Sequence, residues 1–485
     1  MFILTTSGSS QEMFGMTNSN YAGSVGVIQN PSSMLTSKLY FDINLLSGGA
    51  FADNNYVYFS KNEYKFSRFL QANPSFPEHG ETGDIVYDNY NKDLKSAYGN
   101  IRVMGPSAMV VSGKHAFAIY SGVRVGVSAH NAPYELAKFV FEELDAPEQF
   151  NVRYNDTKKF GFAAMAWGEV GVSYAYSVYE KRLDHVAAGI TIKKLFGYSG
   201  GYIAGNNIDY MVPNADTIFI YNLNAKGGLS LPVDYGNNEY PGPGGLFRGS
   251  GWGFDLGFTY EKKLKEISNR HYSNLCAQKY VDYQYRLGVS LVDIGSIKFT
   301  QNARALSFDN VSHNWYEVSD LNYTDIDSTL IEFSNRFYGN PTQLVSGNSF
   351  KIFLPTALSV QFDYHLAANY YLNSSLYYGF QLNAASLHRS SQISVTPRYE
   401  SRYLEASLPI SLYEFSKPRI GLALRLGFLT LGSDKLGSFF NMNDFYGMDI
   451  YFAIKFNFSK GHCRDGGFNG CENNEFLRFR KKSRW

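Results

Sequence analysis

Hydrophobic and polar residues alternate strictly in several stretches of the chain. In segment 447–458 the apolar phase comprises Met448, Ile450, Phe452, Ile454, Phe456 and Phe458. The opposite phase carries polar residues, among them Asp449 and Asn457. The same alternation recurs in segments 38–45, 252–261, 403–412 and 419–428. A period of two places alternate side chains on opposite faces of a β-strand, and about ten residues suffice for a tilted strand to cross a bilayer.

This pattern predicts an all-β fold, a transmembrane antiparallel β-barrel of about 14 strands, with roughly 12–16 compatible with the sequence and an even number expected. A soluble β-sandwich also alternates, but its strands are typically about five or six residues long and its apolar faces meet in a core. The sequence does not show which face lies outside. The length of the alternating stretches favours the membrane.

The predicted barrel spans residues 38–458, and other segments flank it. Residues 1–10 resemble the end of a truncated signal peptide, with a disordered leader as the alternative. Residues 11–37 are expected to form an N-terminal plug, in which Asn30 caps a short helix and Pro31 opens it. Residues 459–485 are expected to form a basic periplasmic tail, which either binds an anionic partner or remains solvated.

Two segments inside the barrel region do not read as strands. Residues 60–98 are rich in Asn, Asp, Pro and Gly and predict a long loop. Segment 131–147 predicts an amphipathic helix with Pro133 just inside its start. Such a helix either gates a pore or packs its apolar face on the rim of the barrel.

The composition agrees with a membrane barrel. The chain has 38 Tyr and 38 Phe, 45 Gly and only 18% charged residues. Aromatic girdles mark both membrane interfaces of such barrels. No apolar run approaches the length of a transmembrane helix, and the net charge of +1 gives no basis for a nucleic-acid partner. We therefore expect the outer membrane of a Gram-negative bacterium as the location and its lipids as surroundings.

Charged residues lie on the polar phase of the predicted strands and are expected to face the lumen. They are Asp42, Asp255, Arg286, Asp363, Glu405, Arg419, Arg425 and Lys455. Because both signs occur, a network of ion pairs that closes the lumen around the plug is favoured. The alternative is a selectivity constriction, which uses rings of one sign.

No catalytic or metal-binding motif is recognisable. The nine histidines are scattered, and no nucleophile elbow or His-Glu-x-x-His pattern accompanies them. We expect neither an enzyme nor a cofactor. Of the three cysteines, Cys276, Cys463 and Cys471, the last two share the tail and are expected to be able to form a disulfide in the oxidising periplasm. Free thiols are the alternative.

Several motifs resemble known barrels. Residues 20–23 (NYAG) and 29–33 (QNPSS) are similar to the Asn-Pro-Ala hatch signature of the FadL-like superfamily, with Ser32 in place of Ala. Five segments resemble, more closely, an uncharacterised Bacteroidota outer-membrane family (DUF5723): 105–109 (GPSAM), 115–118 (HAFA), 252–257 (WGFDLG), 286–295 (RLGVSLVDIG) and 431–437 (LGSDKLG). The resemblance covers most of residues 11–458.

The resemblance implies a fourteen-stranded barrel with an N-terminal plug, in which Asn30, Pro31 and Ser32 form the hatch. Some members of the superfamily pass hydrophobic molecules laterally into the membrane. A first hypothesis is therefore a FadL-like barrel that passes or carries a hydrophobic or small amphiphilic ligand. The second is a non-transporting accessory or scaffold barrel of an envelope machine, such as type IX secretion or outer-membrane protein assembly, with an envelope protein as partner.

Overall fold

The structure is a computed structural model, and it describes residues 12–62, 86–89, 91–266, 271–318, 325–440 and 442–463. The predicted signal segment and most of the tail lie outside the described residues. The strands run in chain order as follows: β1 (Leu39–Asn54), β2 (Val57–Phe59), β3 (Val86–Asp88), β4 (Lys95–Met104), β5 (Ser107–Ser112), β6 (His115–Ala132), β7 (Arg153–Asp156), β8 (Phe160–Lys181), β9 (Asp184–Asn214), β10 (Thr217–Ser230), β11 (Gly249–Lys263), β12 (Tyr283–Phe299), β13 (Ala303–Tyr316), β14 (Val345–Gly347), β15 (Phe350–Phe353), β16 (Ala357–Ala367), β17 (Tyr370–Gly379), β18 (Gln392–Glu400), β19 (Leu404–Ser407), β20 (Ile410–Tyr413), β21 (Lys417–Ile420), β22 (Leu422–Leu426), β23 (Leu429–Ser433) and β24 (Gly447–Ser459).

The described residues contain four α-helices. Two precede β1, namely α1 (Phe14–Thr17) and α2 (Ser33–Thr36), and two lie between strands, namely α3 (Tyr134–Phe141) and α4 (Ile326–Tyr338). Short 3-10 helices cover Gly23–Ile28, Pro147–Gln149, Leu275–Ala277 and Leu436–Ser438. Within the described part of the chain, no helix is long and apolar enough to cross a membrane.

The strands close into an antiparallel barrel of fourteen, which confirms the predicted fold class. Its members in order are β1, β4 with β5, β6, β8, β9, β11, β12, β15 with β16, β17, β18, β19 with β20, β21 with β22, β23 and β24, and β24 pairs with β1 to close the ring. Pro106, Pro355 and Pro409 lie at three of the interruptions between paired segments. Proline lacks the N–H that a ladder needs, so the hydrogen bonding breaks at each of them.

Apolar side chains face outward and polar ones face the lumen. On β11, Leu256 and Phe258 are 48% and 47% exposed, whereas Asp255 and Glu261 are fully buried. On β22, Leu424 is 41% exposed, and its neighbours in the alternation are buried. The structure therefore decides what the sequence left open, because a soluble sandwich would bury the apolar phase.

The two ends of the barrel differ. At the near end, where the chain enters β1 and leaves β24, most connections are turns of two or three residues, and the segment between β11 and β12 is the exception. At the far end most connections between barrel strands are longer, and the turn between β20 and β21 is the exception. The C-terminal half of β9 pairs there with β10, which pairs in turn with β13 in a sheet that extends beyond the barrel. Long loops at one end and short turns at the other are characteristic of outer-membrane barrels.

Two sequence predictions need correction. The segment 60–98 is not a loop throughout, since β3 and the start of β4 fall within it, although residues 63–85 and 90 lie outside the described residues. The helix expected over 131–147 covers only α3, because β6 continues to Ala132 and Glu143 and Leu144 adopt positive φ angles that end a helix. Phe139 packs against Tyr210 and Val212 of β9, so this helix rests on the sheet.

Candidate functional site

The lumen holds residues 12–37, which we call the plug. Its apolar side chains, including Val27 and Met34, are buried in one cluster with small lumen-facing residues such as Ala118, Ala187 and Ala453. Alanine on the inward phase leaves the space that a chain segment needs inside a barrel. The plug is thus packed as a protein core, with the barrel wall as its second half.

Three glycines form a flat surface for the hatch motif, and we call it the glycine seat. Gly189, Gly257 and Gly288 lie on β9, β11 and β12, and Gly189 pairs directly with Gly257. A Cβ atom on Gly257 would lie 2.1 Å from Oδ1 of Asn30, and one on Gly189 would lie 2.6 Å from the Ser32 nitrogen. Only glycine permits so close an approach of the motif to the wall.

Hydrogen bonds fasten the hatch motif to this seat. The Asn30 Nδ2 donates to the Phe258 carbonyl at 3.3 Å and to Oε1 of Gln361 at 3.1 Å. Its Oδ1 accepts from the Ser32 nitrogen at 3.0 Å, and the Ser32 hydroxyl lies 2.6 Å from that of Thr259. Asn30 therefore forms a local turn and a wall contact, and it does not cap a helix as predicted, since α2 begins at Ser33.

The eight predicted lumen charges are placed inside the barrel. Arg286 and Arg419 keep side-chain exposures of 13% and 6%, and the other six are buried. All eight lie in ion pairs. Asp363 pairs with Arg398 at 2.6 Å, and Arg419 pairs with Asp53 at 2.7 Å near the far end. Mixed signs are thus neutralised locally, and no ring of one sign forms among these eight residues.

Several of these charges hold the plug directly. The Arg286 guanidinium donates to Oδ1 of Asn20 and to the Thr36 carbonyl, at 2.8 and 2.9 Å. Glu405 accepts from the Ser19 hydroxyl at 2.8 Å and from Arg425 at 3.0 Å.

The seam between β1 and β24 also binds the plug. Asp42 accepts from the backbone nitrogen and hydroxyl of Ser24, both at 2.9 Å. Lys455 donates to the carbonyls of Tyr21 and Ala22 and lies 3.5 Å from Asp42. Both edge strands are therefore bridged through the plug.

A buried charge cluster centred on Asp293 lies where the start of the plug meets the far-end part of the lumen. Its carboxylate accepts from Arg124 at 2.9 and 3.1 Å and from Lys193 at 2.6 Å, and Arg389 and Arg102 lie 3.4 and 3.7 Å away. The remaining acids of the cluster are Asp255, Glu169 and Glu12. Four cations meet four anions, so the cluster fills the lumen without net charge.

The alternation predicted a lumen-facing Asp255 but not Asp293, because strict alternation places Asp293 on the lipid-facing phase. A bulge between the pairs Phe254↔Ile294 and Leu256↔Leu291 lets Val292 and Asp293 both face inward. Asp293 adopts a φ of +58°, which Asp tolerates better than most residues. An acid in an apolar phase is the signal that could have indicated the bulge.

The segment between β17 and β18, residues 380–391, folds into the barrel from the far end. Its Arg389 donates to both carboxylate oxygens of Glu12, at 2.7 and 2.5 Å, and Leu387 is buried. Leu387 joins an apolar cluster with Trp167, Phe299 and Phe350. A far-end loop is therefore ion-paired to the first described residue of the plug.

Above this apolar cluster opens a cavity of about 610 Å³ at the far end, which we call the vestibule. Tyr202 belongs to its wall and packs on the apolar cluster, and Ala385 of the inward-folded segment contributes to the lining. By contrast, the cavity beside Asn30 measures only about 50 Å³ and is lined mainly by polar residues of the plug and wall.

Residues 271–282, here called the strap, lie over the near-end opening. The Gln278 side chain donates to the Val111 carbonyl at 2.7 Å and accepts from the Gly113 nitrogen at 3.0 Å, so the strap reaches past β8 and β9 to the β5–β6 turn. Cys276 forms a disulfide with Cys463. Cys463 is thus not free to form the possible bond with Cys471, which lies outside the described residues. The chain after β24 turns across the opening, where the Gly461 nitrogen donates to the Cys276 carbonyl at 2.7 Å.

Lys460 lies beneath the strap and is buried. Its ammonium is within 3.4 Å of the Leu35 carbonyl. Burial and the nearby Lys263 lower the pKa of Lys460 to about 7. The near end thus contains a lysine that titrates close to neutrality.

No group of three or more His, Cys, Asp or Glu side chains that could hold a metal ion occurs in the part of the chain that the structure describes. The acids of the charge cluster are instead occupied by arginine and lysine.

Comparisons with known proteins place these features in a family. The profile described as "Family of unknown function (DUF5723)" matches residues 31–434. No curated protein matches the sequence.

Among solved structures, a mutant of the monoaromatic hydrocarbon channel TodX is similar over 90% of this chain and 95% of its own, with 8% identity and a TM-score of 0.38. The monoaromatic hydrocarbon channel CymD follows over 95% and 100%, with 10% identity and a TM-score of 0.32. A Pseudomonas aeruginosa FadL homologue is similar over 93% and 99%, with 10% identity and a TM-score of 0.25. At such scores the likeness does not indicate a shared activity.

Proposed function

The chain belongs to the DUF5723 family, a family of unknown function, and from its geometry we propose that it is an integral outer-membrane β-barrel, gated by its plug, that admits an amphiphilic ligand at the far end. The observation that supports the membrane location is the apolar outer surface, where exposed Val, Leu, Ile and Phe side chains surround the barrel. Monomeric soluble proteins rarely expose apolar patches above a few hundred Å². The short near-end turns would then face the periplasm.

Tryptophan fluorescence tests the membrane location. Trp252 is 54% exposed on the outer face of β11, and Trp167 is 2% exposed inside the barrel. Single-tryptophan variants that retain one or the other are reconstituted into vesicles with brominated lipid. We expect strong quenching of Trp252 and little quenching of Trp167. Equal quenching of the two residues would contradict an outer surface in contact with acyl chains.

The order of polar and apolar surroundings at the far end supports the part of the proposal that concerns the ligand. The vestibule is lined largely by polar side chains, and the apolar cluster of Trp167, Phe299, Phe350 and Leu387 lies directly beneath it. A molecule with a polar and an apolar part matches that order. Passage beyond the cluster requires displacement of residues 380–391 and of the plug, because Arg389 ties the two together.

The filled lumen also favours a second candidate, an accessory or scaffold barrel of an envelope machine. The charge cluster is neutral, and the cavity beside Asn30 holds only about 50 Å³, whereas a carrier predicts an elongated apolar cavity there. For this candidate the barrel would anchor a protein partner, for example in type IX secretion or outer-membrane protein assembly, and would conduct nothing.

One experiment separates the two functions. The full chain is extracted in mild detergent and examined by native mass spectrometry. A monomer that carries a bound amphiphile supports the gated carrier. A stable complex with a second protein and no amphiphile supports the scaffold, and a bare monomer contradicts both.

A further inference from the structure

The vestibule has a lining of unusual chemistry for a barrel that handles amphiphiles. Five carboxamide side chains contribute to it: Asn206, Asn207, Asn224, Gln381 and Asn383. Three aromatic rings line the same cavity: Phe160, Tyr202 and Phe308. A carboxamide both donates and accepts hydrogen bonds, and an aromatic ring offers a flat apolar face.

A β-bulge brings two adjacent amides into the same cavity. Asn207 pairs with Asn224 and Gly205 pairs with Ala225, so Asn206 is left without a register partner on β10. In a regular strand, consecutive side chains point to opposite faces, yet Asn206 and Asn207 both line the vestibule. Bulges re-aim side chains in this way and are common beside binding sites.

The aromatic wall depends on a second local feature. Phe160 pairs with Gly205 across the β8–β9 ladder, and a Cβ on Gly205 would lie 2.2 Å from the Phe160 ring. The tip of the ring therefore occupies the space that a side chain at position 205 would fill. This arrangement holds a rigid apolar face beside the Asn206–Asn207 pair.

The polar groups of the lining have unused bonding capacity. Asn206, Gln381 and Asn383 are exposed, and Asn206 makes no side-chain hydrogen bond within the described residues. Gln381 uses its Nε2 on His130 at 2.9 Å, and Asn383 uses its Oδ1 to accept from the Ala385 nitrogen at 3.2 Å, which leaves the Oε1 of Gln381 and the Nδ2 of Asn383. The charged groups of the lining are few and mixed in sign, namely Lys159, Lys226 and Asp309, besides His130. The lining therefore offers many neutral donors and acceptors and no strong field of one sign.

We propose that the vestibule binds a saccharide, which forms the polar part of the amphiphile or is bound by itself. The amides match its vicinal hydroxyl groups, and Phe160, Tyr202 and Phe308 match the C–H faces of its rings. The volume of about 610 Å³ lies within the range of small-molecule sites and accommodates a short oligosaccharide. The inference rests on the proposed function only for the side of the membrane from which the ligand arrives.

The test uses the full chain in phospholipid nanodiscs, without glycoside detergents, on a broad glycan array, followed by calorimetry with the best-binding glycan. The amide-to-leucine variant combines Asn206→Leu with Asn383→Leu, which removes donors and acceptors but keeps side-chain volume. Asn237→Leu, on an exposed far-end loop outside the vestibule, is the matched control. Laurate serves as a purely apolar probe.

We expect the wild-type protein and the control to bind the same glycan, and the amide-to-leucine variant to bind it about tenfold more weakly or worse, since two hydrogen-bonding side chains are lost. Its affinity for laurate should stay equal or rise. Absence of any glycan bound by the wild type, or equal glycan binding by the amide-to-leucine variant, overturns the inference. Heat-modifiable migration and quenching of Trp252 confirm separately that each variant is a folded membrane barrel.

Discussion

The glycine seat makes the docking of the plug testable with one methyl group. In Gly257→Ala the new Cβ would lie 2.1 Å from Oδ1 of Asn30 and 2.7 Å from Cδ of Pro31. Both neighbours belong to the hatch motif itself, so the collision is resolved by moving the plug or the wall. Gly168→Ala is the matched control, because its Cβ meets nothing closer than 3.9 Å.

The size of the effect follows from the contacts at the seat. Asn30 donates to the Phe258 carbonyl, to Thr259 and to Gln361 at 3.1–3.4 Å, and these bonds do not survive a retreat of more than 1 Å. Overpacking costs about 1–3 kcal/mol and loss of buried hydrogen bonds about 1–3 kcal/mol more. We therefore expect the docked plug to lose about 2–6 kcal/mol, or roughly 30- to 20,000-fold in its docking equilibrium.

Hydrogen exchange measured by mass spectrometry reports this equilibrium directly. The amides of Gln29, Leu35 and Lys38 are bonded within the plug or at its junction with β1. In Gly257→Ala we expect these amides to exchange at least tenfold faster, while amides of β8 and β9 keep their protection. The argument that the glycine seat holds the plug would be refuted if the plug amides of Gly257→Ala exchanged at the wild-type rate. It would also be refuted if Gly168→Ala accelerated their exchange equally.

Asp293→Asn leaves the charge cluster with an uncompensated cation and should lower the free energy of unfolding by about 3–5 kcal/mol in a urea titration, whereas the exposed Asp309→Asn should change it by less than about 0.5 kcal/mol. Cys276→Ser should accelerate hydrogen exchange in the strap and lower the free energy of unfolding by only about 1–2 kcal/mol, because barrel closure already holds both cysteines near each other. A loss above about 4 kcal/mol would indicate that the disulfide, and not the barrel, holds the two segments together. Burial lowers the pKa of Lys460 from 10.5 to about 7, so between these values the unfolded chain holds a proton that the folded chain does not, and stability should rise with pH. Lys460→Met should lack that rise, and a variant with the wild-type pH profile would show that Lys460 is not its source.

The sequence predicted the strands of this barrel better than the contacts inside its lumen. Period-two stretches located β1, β11 and β24, because the alternation between lipid and lumen is a local property of a strand. The same rule misplaced Asp293, since a bulge shifts the phase by one residue. Asn30 was recognised as part of a motif, but its contact with the wall depends on Gly257, which is distant in the sequence.

Partners that meet only after ring closure were not predictable from spacing. Arg389 and Glu12 are separated by most of the chain, and they meet because a far-end loop folds inward to the plug. Cys276 and Cys463 meet because the strap crosses the near-end opening. Proximity in the tail favoured Cys471 instead, since nothing in the sequence places the β11–β12 segment beside the end of β24.

The seam between β1 and β24 couples closure of the barrel to docking of the plug. Asp42 and Lys455 stand on the two closing strands, and each uses part of its bonding capacity on the plug. A ring closed without the plug would leave these two side chains with each other at 3.5 Å but without their hydrogen bonds to Ser24, Tyr21 and Ala22. We therefore expect a truncation that removes the plug to destabilise the closed barrel at this seam and not simply to open a pore.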